Sequence, residues 1–100
     1  MKEIQTMRNI TQKAIKNFLN GKRWTEKNTH TENFKLYLHG NLIAKIDAGR
    51  LFICLQGWNT VTTRERLNGL PGVKLTQKNF EPYLNGEKIN SWQWYEIKNF

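Results

Sequence analysis

Cysteine is almost missing from this 100-residue chain: Cys54 is the only one, so no intrachain disulfide can staple the fold. Its place in the apolar run Leu51-Phe52-Ile53-Cys54-Leu55 makes it a buried structural thiol, at home in a reducing compartment. Two histidines beside one cysteine cannot supply a zinc cluster of the usual spacing, and neither a Walker nor a dinucleotide glycine pattern occurs. Asp47 is the sole aspartate. A small nuclease site would have to draw on Asp47, His39 and Glu65, yet nothing local couples them. A non-enzymatic role without cofactor or metal is therefore expected. No apolar stretch approaches a membrane span, and Met1-Lys2-Glu3-Ile4-Gln5 lacks the apolar core of a secretory signal. The expectation is a cytoplasmic protein without a membrane partner.

Acidic residues are also scarce, and this scarcity is informative. Sixteen Lys and Arg stand against eight Asp and Glu, a formal charge of +8. Residues 1–30 carry Lys2, Arg8, Lys13, Lys16, Lys22, Arg23 and Lys27 against Glu3 and Glu26, which is +5 of that total. One reading is a phosphate-facing patch built on salt-sensitive attraction. The other is solubility, since net charge speaks to association rather than to fold.

The chain is the length of one domain, and 38% apolar residues with 12% aromatic suffice for a single core. Ile10, Ala14, Ile15, Phe18 and Leu19 recur at helical spacing, with Asn9 and Gln12 as a capping signal and Asn20-Gly21 as a stop. Residues 25–33 are polar throughout and read as a surface loop. From Phe34 the period becomes two: Phe34, Leu36 and Leu38 alternate with Lys35, Tyr37 and His39. Turns at Gly40-Asn41 and Asp47-Ala48-Gly49-Arg50 complete a three-stranded meander. Thr62-Thr63-Arg64-Glu65 has capping-box spacing before a short helix over 63–68, closed by Gly69 and Pro71. Short strands at Val73–Thr76 and Tyr83-Leu84, an Asn85-Gly86 hairpin and a last strand within Trp92–Ile97 follow. The expectation is one α+β domain over 1–100, an N-terminal helix packed on a mainly antiparallel sheet.

A nucleic-acid surface would use the alternating Lys35, Tyr37 and His39, because single strands are bound by an aromatic flanked by positive charge. Lys13, Lys16, Lys22 and Arg23 from the helix, with Lys45 and Arg64 or Arg66 beside Trp58, would extend it into one patch. The bland alternative, and the expected one for Tyr37, is that it lies under a second layer, since Ile43 and Phe52 also fall on the face away from the main core. Trp24, Trp58, Trp92 and Trp94 are expected mostly in the core, though aromatic and arginine anchors also make protein interfaces.

Two segments carry a resemblance: Leu36-Tyr37-Leu38-His39-Gly40-Asn41-Leu42-Ile43-Ala44, and Gly57-Trp58-Asn59-Thr60-Val61-Thr62-Thr63-Arg64-Glu65-Arg66-Leu67-Asn68-Gly69-Leu70. They resemble the core of a family of small tailed-bacteriophage proteins. The segments Ala14–Gly21 and Tyr83-Leu84-Asn85-Gly86 are similar more loosely. The resemblance implies a phage accessory protein in a bacterial host cell and carries over no catalytic residue. Such proteins act by occupancy. Nucleic acid, DNA or RNA, is the expected partner; the alternative is inhibition of a host defence or nucleic-acid-processing complex, of anti-CRISPR or anti-restriction type, through protein contact. A +8 chain cannot mimic DNA. Exposed strand edges also leave room for a homodimer.

Overall fold

A computed structural model describes residues 2–98 and 100, with side chains from Asn9 onward. Lys2, Glu3 and Arg8 of the basic segment therefore lie outside the described side chains. Helix α1 (Lys2–Leu19) begins seven residues before the expected cap at Asn9, because the apolar period continues back through Met7 and Ile4. Ile10, Ala14, Ile15 and Phe18 are all buried. The helix ends where Asn20-Gly21 predicts. Gly21 N–H donates to Phe18 O at 3.1 Å and Lys22 N–H to Asn17 O at 2.9 Å, the paired bonds of a Schellman stop. Gly21 has φ +68° and the Phe34 ring against it, 2.5 Å from where a Cβ would stand, so glycine is required twice over.

Among the described residues, nine strands and a second helix follow: β1 (Trp24–Glu26), β2 (Thr29–Glu32), β3 (Lys35–Leu38), β4 (Asn41–Asp47), β5 (Arg50–Ile53), α2 (Val61–Asn68), β6 (Leu75–Lys78), β7 (Glu81–Leu84), β8 (Glu87–Lys88) and β9 (Tyr95–Glu96). The first five strands and β9 form one sheet in the order β1-β2-β3-β4-β5-β9; β6, β7 and β8 form a small second sheet. All pairs are antiparallel. The fold is α+β, as expected.

The segment read as a polar loop is instead the β1–β2 hairpin. Thr29 and Thr31 are fully buried while His30 and Glu32 face out, a period of two written in threonine rather than aliphatic residues. Their hydroxyls explain the choice. Arg66 on α2 is only 1% exposed; its Nε donates to Thr29 Oγ1 at 3.0 Å and its Nη1 to Thr11 Oγ1 at 2.9 Å. Thr31 Oγ1 donates to Lys22 O at 2.9 Å. Buried polar groups need such partners.

Leu36, Leu38, Ala44, Leu51 and Ile53 line the inner face of the large sheet, and α1 and α2 close over it with Phe18, Leu67 and Leu70. A register shift in the β3–β4 pair, with Leu36 opposite Ala44 but Tyr37 opposite Leu42, makes Ile43 an extra residue. Ile43 and Ala44 are then both buried. This corrects the expectation that Ile43 shares a face with Phe52. Helix α2 is capped by Thr60, whose Oγ1 accepts from Thr63 N–H at 3.2 Å, rather than by Thr62.

Candidate nucleic-acid interface

Cross-strand partners share a face of a sheet, so register alone defines the outward surface. His30 opposes Tyr37, Glu32 opposes Lys35, Lys35 opposes Lys45, Tyr37 opposes Leu42, Lys45 opposes Phe52 and Phe52 opposes Glu96. None of these side chains is buried. Both helices pack on the other face. The expected second layer over Tyr37 is therefore absent among the described residues, and Tyr37 and Phe52 belong to a sheet face that water reaches.

Aromatic rings and cations interleave across this face. The His30 and Tyr37 rings are 5.6 Å apart. Lys45 Nζ lies 4.6 Å from the Trp94 ring centre and 5.9 Å from that of Phe52, and the Arg50 guanidinium lies 6.0 Å from Phe52. Arg50 also grips Glu96 with two hydrogen bonds, 2.9 and 2.8 Å. Those bonds hold the Glu96 carboxyl below its ordinary range. Glu32 is met by His30 Nε2 at 3.0 Å and Arg23 Nε at 3.8 Å. Lys35 and Lys45 differ: they stand directly opposite each other, and no ion pair to either occurs among the described residues. Like charges so placed repel.

The residues singled out from sequence divide into four places. Arg23, Lys35, Tyr37 and Lys45 meet on or beside the open face, linked through Glu32. Lys13, paired with Glu26 at 3.3 Å, and exposed Lys16 belong to the helix on the opposite side; Lys22 follows its stop. His39 sits in the β3–β4 turn with Trp58 and Arg64 near that end. Arg66 is buried, which removes it from any binding surface, because its guanidinium serves the threonines of the core. One continuous patch from α1 to the sheet does not form, since the sheet itself separates the two. His39 precedes β4 in its turn and Asp47 is the last residue of that strand, about 20 Å apart at roughly 3.3 Å per residue, so the trio with Glu65 does not assemble. His30 and Arg50 were not singled out from sequence, and Phe52 and Trp94 were named there without being joined to the Lys35–Tyr37 surface, although Arg50-Leu51-Phe52-Ile53 alternates in step with β3.

A second exposed surface surrounds the loop after β5. Trp58 is 57% exposed, Phe80 89% and Trp92 71%. The Trp92 ring packs against Gly57, where a Cβ would fall 2.2 Å from it. Asn59 ties the β6–β7 tip to this loop, donating to Gln77 Oε1 at 3.1 Å and Phe80 O at 3.4 Å, while Arg64 Nη1 donates to Asn59 Oδ1 at 2.6 Å and Gln77 Oε1 at 3.0 Å. Beside it lies a cleft of about 490 Å³ lined by Leu38, His39, Asn41, Ile43, Trp58, Thr60, Thr62 and Thr63.

Both surfaces fall within the span of one family model. The model of the Kyanoviridae Gp96 protein matches residues 7–100. The chain belongs to this bacteriophage family. The match takes in the whole large sheet, both helices after the first turns of α1, and the small sheet. No curated protein and no solved structure matches the chain. Among the described residues, no helix is long and apolar enough to cross a membrane.

Proposed function

We propose that this phage protein binds single-stranded nucleic acid across the open face of its large sheet, without catalysing a reaction, in the cytoplasm of the infected cell. The observation that carries the reading is the Lys35–Lys45 pair, two cations opposite each other on the sheet with no ion pair to either among the described residues, next to the part-exposed rings of Tyr37, Phe52 and Trp94 on the face away from the helices. A phosphate between the two ammonium groups relieves their repulsion, and neighbouring bases stack on the rings. Arg23 prolongs the backbone track.

Fluorescent single- and double-stranded DNA and RNA oligonucleotides, titrated across salt, test the proposal. Binding is expected to favour single strands, with a log–log salt slope of about −2 if three phosphates are engaged at ~0.7 each. Lys35→Glu/Lys45→Glu should abolish it, and Tyr37→Ala should weaken it by roughly 1–3 kcal/mol. Lys13→Glu/Lys16→Glu should change it little. Equal weak binding to all four oligonucleotides, unchanged by the double variant, overturns the reading.

One observation favours a second reading, inhibition of a host defence or nucleic-acid-processing complex by protein contact. Trp58, Phe80, Trp92 and Arg64 cluster on a surface braced by Asn59, and aromatic and arginine anchors of this kind dominate interface energetics. Such binding would depend weakly on salt and would be lost in Trp58→Ala/Phe80→Ala, not in the lysine variant.

A further inference from the structure

Of the grooves on the molecule, the cleft between the β3–β4 turn and the start of α2 has the most specific chemistry. Its apolar lining comes from Leu38, Ile43 and Trp58, and its polar lining from His39, Asn41, Thr60, Thr62 and Thr63. Thr60 and Thr63 are engaged with each other at 2.9 Å. No hydrogen bond from the side chains of His39, Asn41 or Thr62 to another described residue exists, so their donors and acceptors remain open to a ligand. No lysine, arginine, aspartate or glutamate lines the cleft. Its size falls in the ordinary range for small-molecule sites, whose usual make-up is apolar walls with a few convergent polar groups.

These features select the ligand. A phosphate or carboxylate would find no charge to meet it, and an aliphatic ligand would leave three hydrogen-bonding side chains unused. A flat, neutral ring whose edge carries both donors and acceptors uses everything present: it stacks on Trp58, and its edge meets the Asn41 amide, the His39 imidazole and the Thr62 hydroxyl. We propose that the cleft binds a single nucleobase, stacked on Trp58. The choice of ligand rests on the nucleic-acid reading above, but the site is separate from the sheet face. One end of a bound strand, or a free nucleotide, fills it.

The test uses the full chain and the four nucleoside monophosphates, with ribose 5-phosphate and inorganic phosphate as controls, followed by calorimetry and by amide and indole NMR shifts. Expected is saturable binding of at least one nucleotide, with shifts at His39, Asn41, Thr62 and the Trp58 indole and none from the two controls. Trp58→Ala should weaken binding roughly tenfold or more, with Trp58→Phe retaining most of it, and Asn41→Leu should alter the preference among bases. Trp58 is largely exposed, so these variants keep the core intact. Lys35→Glu/Lys45→Glu should retain the mononucleotide while losing the oligonucleotide, which separates failure of this site from failure of the sheet face. No saturation at millimolar nucleotide, equal binding of ribose 5-phosphate, or indifference to Trp58→Ala overturns the proposal.

Discussion

Arg66 looked like a surface cation beside Trp58, and burial assigns it the opposite role. Removal from water pushes its guanidinium below the ordinary value, with Glu65 acting in the other direction, yet an arginine stays charged at neutral pH. Truncation to Ala leaves Thr11 and Thr29 without their donor and opens a cavity. Arg66→Ala should therefore cost about 2–4 kcal/mol in denaturant unfolding, against less than about 0.5 kcal/mol for Lys16→Ala on the exposed side of α1. At the sheet edge, the Glu96 carboxyl is held below its usual range chiefly by its hydrogen bonds to Arg50. A depressed native value means stability that is present above the ordinary carboxylate range and lost as pH falls through the lower native value. An NMR titration should find Glu96 titrating below the ordinary carboxylate range, and Arg50→Gln should return it to that range.

Turns separate the legible elements from the illegible ones. Hairpins at Ala48-Gly49 and Asn85-Gly86 were readable because glycine fills the second left-handed position in each, and the turn expected at Gly40-Asn41 falls one residue earlier, at His39-Gly40, for the same reason. Asn33-Phe34 and Asn79-Phe80 form equally tight turns with phenylalanine at φ +60° and +65°, where no turn rule expects an aromatic. Phe34 is repaid by its ring's contact with Gly21, whereas Phe80 projects into water. Phe80→Gly should therefore raise stability by about 1 kcal/mol, read from the denaturant midpoint. The β1–β2 hairpin was illegible for another reason: its buried residues are threonines, whose polarity looks like a loop until the arginine they serve is in place. Register hid the bulge as well. A period of two in β4 cannot show that Ile43 and Ala44 both turn inward.

Across the whole molecule, the charge excess is divided by the sheet. The helix layer takes Lys13 and Lys16, the open face takes Lys35, Lys45 and Arg50, and Arg66 is internal. The composition made the excess visible but not its partition, since which side of a sheet a helix covers is a tertiary fact. The alternation of Lys35 and Tyr37 was legible in full; its partnership with Lys45, Phe52 and Trp94 depended on cross-strand register. The measurement that bears most directly on the open face is single-stranded oligonucleotide affinity across salt for the parent chain and for Lys35→Glu/Lys45→Glu. Salt-steep binding lost in the double variant and kept in Lys13→Glu/Lys16→Glu is the predicted result. Binding lost instead in the helix variant, or unaffected by either, would contradict the assignment of the sheet face.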